Sequence, residues 1–222
     1  MASVASSSWH RLPPILFWTV TCSAAGYFAL SAIVEIVGRE PGTVPGWRAA
    51  LLAVHAAAAL PLLAIAPFQF SAALRARRPR VHRWLGRTFL SLAILAALSA
   101  IALGVTIGMP GIRISLTLLG TTVLFCAVAA WLCARAGDFS AHRKFAIRTF
   151  ALAFAFVWIR LVGVSADTTL AFIEDAEHRA INLEWMTLAV PLLITESWLS
   201  WLPALRGALR RQRKARGSRR SC

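Results

Sequence analysis

Six long apolar runs, separated by short polar clusters, decide what this chain is able to fold into. They cover approximately residues 14–37, 49–74, 84–108, 114–134, 145–165 and 183–205. Helices of this length cross the roughly 30 Å hydrocarbon core of a bilayer at about 1.5 Å per residue. Only 15% of the residues are charged, compared with about 25% in soluble domains. The sequence therefore predicts an all-α fold, a polytopic six-helix transmembrane bundle.

The runs divide the chain into three parts. Residues 1–13 form an N-terminal cytoplasmic segment, residues 14–205 a six-span membrane domain, and residues 206–222 a basic cytoplasmic tail. The tail carries too much charge to pack a core, so we expect it to be disordered or to lie against lipid.

Positive charge predicts the orientation. With the N-terminus inside, 19 of the 24 Lys and Arg residues fall on the cytoplasmic side, while most Asp and Glu residues fall outside. The positive-inside rule then places both termini in the cytoplasm. The net charge of +15 does not indicate nucleic acid, because the basic residues lie between and after the apolar runs. The expected partners are the bilayer itself and anionic lipid headgroups at the basic loops and tail.

A short basic phrase occurs twice, each time at the start of a helix that runs from inside to outside. HRWLGRTF covers His82–Phe89, and HRKFAIRTF covers His142–Phe150. The repeat suggests two related helical hairpins. The His-to-Arg spacing is five residues in the first copy and six in the second, so Arg87 and Arg148 should project from different helix faces.

Three interpretations of the histidine pair remain open. His82 and His142 at equal depth have a geometry suited to haem b, as iron ligands, with Arg83, Arg143 and their basic neighbours Arg87 and Lys144 facing the propionates. The same groups suit an anion site for a phosphate, a carboxylate or a lipid headgroup. The third interpretation is that they serve only topology and interface packing.

Ionisable residues also fall inside the apolar runs. They are Glu35, His55, Arg160 and Glu196; a charge at such depth costs at least about 2.5–3.5 kcal/mol, so these side chains should face the bundle interior and pair. Glu35, His55 and Arg160 are predicted in the outer third, Glu196 nearer the middle, and Gln69 near the inner surface. They form either a ligand-binding or proton-carrying cluster, or ion pairs and hydrogen bonds that serve structure alone.

The motifs together resemble a known family. His55, PFQF with Arg75, Pro79–Arg87, Asp138–Arg160 and Trp185–Glu196 are similar to the bacterial predicted membrane proteins catalogued as domain of unknown function 2306 (DUF2306). The resemblance implies a multi-pass fold in a bacterial inner membrane and carries no activity. A looser resemblance, in architecture alone, is to transmembrane cytochromes b. Ala66 and the pair Lys144-Phe145 depart from the DUF2306 pattern.

Three functions follow as hypotheses. The chain is a haem-binding or redox membrane protein using His82 and His142, a small transporter or ligand-binding protein built on the buried polar cluster, or an accessory protein without catalysis. The sequence has no nucleotide-binding loop, nucleophile elbow or HExxH motif. It therefore names no catalytic residue, and it indicates no metal site beyond the two histidines as haem ligands.

Overall fold

The computed structural model describes residues 12–38 and 45–218, and these residues are almost entirely helical. The helices of this part of the chain are α1 (Leu12–Val37), α2 (Gly46–Gln69), α3 (Ala72–Arg77), α4 (Pro79–Gly104), α5 (Pro110–Arg135), α6 (Phe139–Ala153), α7 (Ala155–Val164), α8 (Ala166–Thr169), α9 (Ala176–Glu196) and α10 (Leu202–Ser218), with one wide π-helical segment, Ser197–Trp201, between the last two.

The all-α membrane fold predicted from the sequence is confirmed. Five helical stretches of the described residues are long and apolar enough to cross a membrane; they are α2, α4, α5, α6 together with α7, and α9 with its continuation. Helix α1 contains 26 residues, the same length as α4 and α5. The count of six spans and the cytoplasmic position of the termini stay predictions.

Local sequence signals set the helix boundaries. Pro79 and Pro110 occupy the first turns of α4 and α5, where a missing N–H costs nothing because no intrahelical acceptor is available there. Asp138 caps α6 by accepting a hydrogen bond from the Ala141 N–H at 2.9 Å. Gly137 has a φ of 78°, and this left-handed conformation lets the chain turn sharply between α5 and α6.

Small residues let the central helices approach closely. Helices α2, α4, α5 and α6 pack in sequence order, and α9 lies across α5, α6 and α7. The contacts are rich in alanine, such as Ala93 and Ala127, which are fully buried. At Gly120 a Cβ atom would lie 2.9 Å from the Ile101 Cγ1 atom. This is the packing expected in lipid, where close backbone approach replaces the hydrophobic effect between helices.

The outward faces of the helices remain apolar. On α5, Phe125, Val128 and Leu132 follow one another at helical spacing, and all three are exposed. Such a face would be unfavourable in water and is normal against lipid tails. The exposed apolar surface of the bundle thus fits the membrane location that the length and composition of its helices predict.

The basic tail is predicted either to be disordered or to lie against lipid, and its described part, residues 206–218, is helical. Contact with lipid stays a prediction. The chain continues without a break from α9 through the π segment into α10, which reaches Ser218. Residues 219–222 lie outside the described residues. Leu, Ala, Arg, Lys and Gln dominate α10, and all of them favour helix. An existing helix also removes the nucleation cost that makes isolated helices marginal.

Candidate functional site

A large cavity lies at the end of the bundle where α2 and α5 finish and where α4 and α6 begin. Its volume is about 1550 Å³. Eight helices, α1–α7 and α9, border it, with residues Phe17, Trp18, Gln69, Phe70, His82, Arg83, Gly86, Arg87, Leu90, Trp131, Arg135, His142, Arg143, Ala146, Phe150, Phe154, Trp158, Val190, Ile194 and Trp198 among those that line it. Because sequential helices alternate in direction, both His-Arg phrases reach this same end.

Five arginines form the mouth of the cavity, and we call this end of the bundle the basic end. They are Arg75, Arg83, Arg87, Arg135 and Arg143, and all are exposed. No Asp or Glu residue is among the described residues that line the cavity. The mouth is therefore an uncompensated concentration of positive charge, of the kind that attracts anions.

The structure separates two basic residues that the sequence grouped together. Arg143 lines the cavity, whereas Lys144 is exposed and is not part of the lining. The two are adjacent on α6, where successive side chains point about 100° apart. In this structure Arg143, and not Lys144, is positioned to contact a group held in the cavity.

His82 and His142 both line the cavity. The Nδ1 atom of His142 lies 2.8 Å from the carbonyl oxygen of Ala130. A carbonyl accepts and cannot donate, so Nδ1 of His142 carries the proton and Nε2 is left as the nitrogen with a free lone pair in the neutral ring. His82 lies within electrostatic reach of His142 and Arg75.

Gln69 is a polar side chain held in an apolar setting. It is only 7% exposed, lines the cavity, and its Oε1 atom has no hydrogen-bond partner in the described protein. Its Nε2 atom packs over Gly86, where a Cβ atom would lie 2.8 Å away. Because glycine has no side chain, position 86 leaves the space that the Gln69 amide occupies.

Two further cavity residues have buried polar atoms without a partner in the described protein. They are the Nδ1 atom of His82 and the Nε1 atom of Trp158. Buried polar groups are nearly always hydrogen-bonded, and leaving one unpaired costs about 1–3 kcal/mol. With Gln69, three residues that line a single cavity carry such an atom, and this concentration makes the cavity a candidate site for a polar ligand group.

Glu196 does not belong to a central polar cluster but pairs with Arg148. Glu196 Oε1 accepts from Nε of Arg148, and Oε2 accepts from Nη2 of Arg148 at 2.9 Å and from the Ser200 hydroxyl at 2.8 Å. The guanidinium also lies 5.3 Å from the centre of the Phe145 ring. This bidentate pair joins α6 to α9 beside the cavity wall.

Arg160 lies within electrostatic reach of Glu184, an acid near the start of α9. Arg148 and Arg160 are twelve residues apart, as are Glu184 and Glu196. In two antiparallel helices this equal spacing is the sequence signal that brings Arg160 near Glu184 where Arg148 pairs with Glu196.

His55 occupies a third location. Its Nδ1 atom lies 2.9 Å from the Ala96 carbonyl oxygen and 3.3 Å from the Ser99 hydroxyl, so it bonds across to α4. Glu35 lies near the end of α1, but its side chain falls outside the part that the structure describes. The structure thus divides Gln69, Glu196, Arg160 and His55 among separate contacts instead of gathering them into one cluster.

The arrangement suits ligand binding better than metal binding by side chains alone. No group of three or more His, Cys, Asp and Glu residues in the described ranges is able to hold a metal ion. What the cavity offers is positive charge at its mouth, two imidazoles, three unpaired polar atoms and aromatic walls. Those features are the ones that recognise an anion with an apolar body.

Comparison with known proteins gives a family and no activity. No curated protein and no solved structure matches the chain. The sequence profile described as "Predicted membrane protein (DUF2306)" matches residues 52–199, which is well over half of the chain and includes both His-Arg phrases. The chain belongs to the DUF2306 family of predicted membrane proteins.

Proposed function

We propose that this protein binds an amphiphilic anion in the cavity at the basic end. The observation that carries the proposal is the mouth itself, where Arg75, Arg83, Arg87, Arg135 and Arg143 surround one opening that has no acidic residue in its lining. Arginines that only anchor a protein at the membrane surface extend separately, each toward a different lipid headgroup. These arginines instead converge on a concave site, where one ligand group is able to satisfy several of them.

The interior supports an apolar body on the ligand. Trp131, Phe150, Phe154 and Trp158 face the cavity, and aromatic side chains bury large areas against an apolar partner. Gln69 Oε1 accepts and Trp158 Nε1 donates, so a hydroxyl or carbonyl group on the ligand would satisfy atoms that have no protein partner. An inorganic anion alone would leave these interior groups unused.

The test compares anionic and zwitterionic ligands of equal chain length. The protein is purified in a neutral detergent, and native mass spectrometry measures binding of dodecyl phosphate and of dodecylphosphocholine. We expect the phosphate to bind more tightly. Replacing both Arg83 and Arg143 with alanine should weaken it by about tenfold or more, because hydrogen bonds to charged groups contribute about 1.5–3 kcal/mol.

The matched control replaces Arg80 and Lys144, which neighbour those two arginines but do not line the cavity. The Arg80→Ala/Lys144→Ala variant removes the same charge from the same helix ends and should bind as the wild type does. Equal weakening by both double variants would mean that only the general surface potential matters. That result would contradict a defined site.

Haem is the second candidate, and one specific observation favours it. The hydrogen bond from His142 Nδ1 to the Ala130 carbonyl oxygen is of the kind that orients a metal-binding imidazole, and it leaves Nε2 free for iron. His82 would supply the second ligand, with Arg83 and Arg143 near the propionates. A bound haem would supply electron transfer, and the protein residues would hold and orient it.

A reduced-minus-oxidised visible spectrum separates the two candidates. Haem predicts Soret and α bands in protein purified from haem-supplemented cells, and His142→Ala should remove them. A colourless protein with unchanged dodecyl phosphate binding would eliminate haem and retain the anion site.

A further inference from the structure

We infer that the ligand is a long-chain membrane amphiphile, with its anionic head at the arginine mouth and its chain lying along the α6–α7 face of the cavity. This inference rests on the proposed function and adds the length, chemistry and source of the ligand. It follows from the length of the cavity, from its walls and from the side on which it opens.

The length of the cavity follows from the stretch of α6 and α7 that borders it. His142, Ala146, Phe150, Phe154 and Trp158 all line it, at intervals of four residues along the two helices. Sixteen helical residues correspond to at most about 24 Å, at about 1.5 Å per residue. A phosphate or carboxylate group fills only the mouth, so most of this length is available to a chain.

The walls change from basic to apolar with distance from the mouth. Near the mouth are His142 and Arg143, whereas Phe150, Phe154 and Trp158 line the cavity further along α6 and α7. Helix α9 adds Val190 and Ile194 on the opposite side. This gradient matches a molecule with one charged end and a long apolar chain.

Exposed side chains on α1 and α9 border the cavity, and their exposure supports a sideways opening between the two helices. Phe17 on α1 is 53% exposed, and Ile194 on α9 and Trp198 just after it are each 62% exposed, although all three border the cavity. Both α1 and α9 pack against α7, so α7 lies between them and closes the inner side of this opening. In a bundle that spans the bilayer this side faces lipid, so the accessible source of ligand is the membrane leaflet.

The experiment separates chain recognition from head recognition. Native mass spectrometry in neutral detergent compares hexadecyl phosphate with ethyl phosphate, which has the same head and almost no chain. Ala151 lines the cavity on the α6 side, and Ala151→Trp fills the chain path without touching an arginine. We expect this variant to lose at least tenfold in hexadecyl phosphate affinity while ethyl phosphate binding stays within twofold.

Ala64→Trp is the matched control, because Ala64 is exposed on α2 and is not part of the cavity lining. It should bind both compounds as the wild type does. Where Ala151→Trp does not yield folded protein, Val190→Trp narrows the path from α9. Unchanged hexadecyl phosphate binding in the narrowed variant, or equal loss of both compounds, overturns the inference.

Failure of the proposed function gives a different pattern. If neither compound binds the wild type, or if Arg83→Ala/Arg143→Ala leaves both affinities unchanged, there is no anion site at the mouth. A third result would keep the anion site but contradict the lipid assignment. In that result ethyl phosphate binds the wild type through those arginines, and the narrowed variant binds both ethyl phosphate and hexadecyl phosphate with unchanged affinity. The ligand would then be a water-soluble anion.

Discussion

At the scale of single residues, Gly86 and Gln69 form a matched pair. The Gln69 amide occupies the volume that any side chain at position 86 would take, with 2.8 Å between Nε2 and the position of a Cβ atom. We predict that Gly86→Ala lowers the free energy of unfolding by at most about 1 kcal/mol, because the atom that the new methyl group meets is the end of the flexible Gln69 side chain and alanine favours a helix over glycine by a similar amount. Chemical unfolding in detergent, followed by tryptophan fluorescence, measures the change.

The double variant gives the control. Gln69→Ala removes the amide that the new methyl group would meet, so Gly86→Ala should cost much less in that background. An identical cost in both backgrounds would show that Gly86 matters for another reason, such as helix flexibility.

Arg148 and Glu196 give the second prediction at this scale. Glu196→Ala leaves the half-buried Arg148 guanidinium without its bidentate acceptor, so we expect a loss of about 2 kcal/mol. The thermal midpoint should fall by roughly 5 °C for a chain of this size. Size-exclusion survival after heating measures it, with Glu177→Ala, which is exposed in the first turn of α9, as the control.

Replacing both partners tests the cause. Arg148→Met/Glu196→Leu leaves no unpaired charge in an apolar setting, and such replacements of buried pairs are often neutral. A double variant less stable than Glu196→Ala alone would show that packing, not charge, explains the loss.

At the scale of elements, α10 continues α9 well past the apolar run. Its Arg206, Arg210 and Arg211 are exposed, and each basic residue near an anionic leaflet contributes about 1 kcal/mol. We predict that trypsin cleaves α10 several-fold more slowly in nanodiscs of phosphatidylglycerol than in nanodiscs of phosphatidylcholine. High salt should abolish the difference, since it screens exposed charges; protection that persists in high salt would contradict electrostatic contact.

Sequence reasoning succeeded for elements that the bilayer itself specifies. Apolar length predicted α2, α4 and α5 closely, and helix alternation brought His82 and His142 to one cavity. Predictions from the sequence failed for side chains whose partners depend on how the helices pack against each other. Glu196 was placed with His55 and Arg160 because sequence spacing alone does not show that it bonds Arg148. Lys144 was grouped with Arg143 because sequence proximity does not show which helix face a residue occupies.

At the scale of the whole molecule, orientation is the property most open to direct measurement. The basic end carries the cavity mouth and, by the positive-inside rule, is predicted to be cytoplasmic. Green fluorescent protein fused after Ser218 should fluoresce, and alkaline phosphatase fused at Gly108, in the turn between α4 and α5, should be active. The opposite pattern at both positions would place the arginines outside the cell membrane and remove the positive-inside argument.

The ion pair between Arg148 and Glu196 also restricts how the cavity wall is able to move, because its two hydrogen bonds join α6 to α9 beside that wall. A slide of α9 along α6 by one helical turn, about 5.4 Å, would break both hydrogen bonds. A ligand path that widens while this pair stays intact therefore has to change shape at another border of the cavity, such as α1.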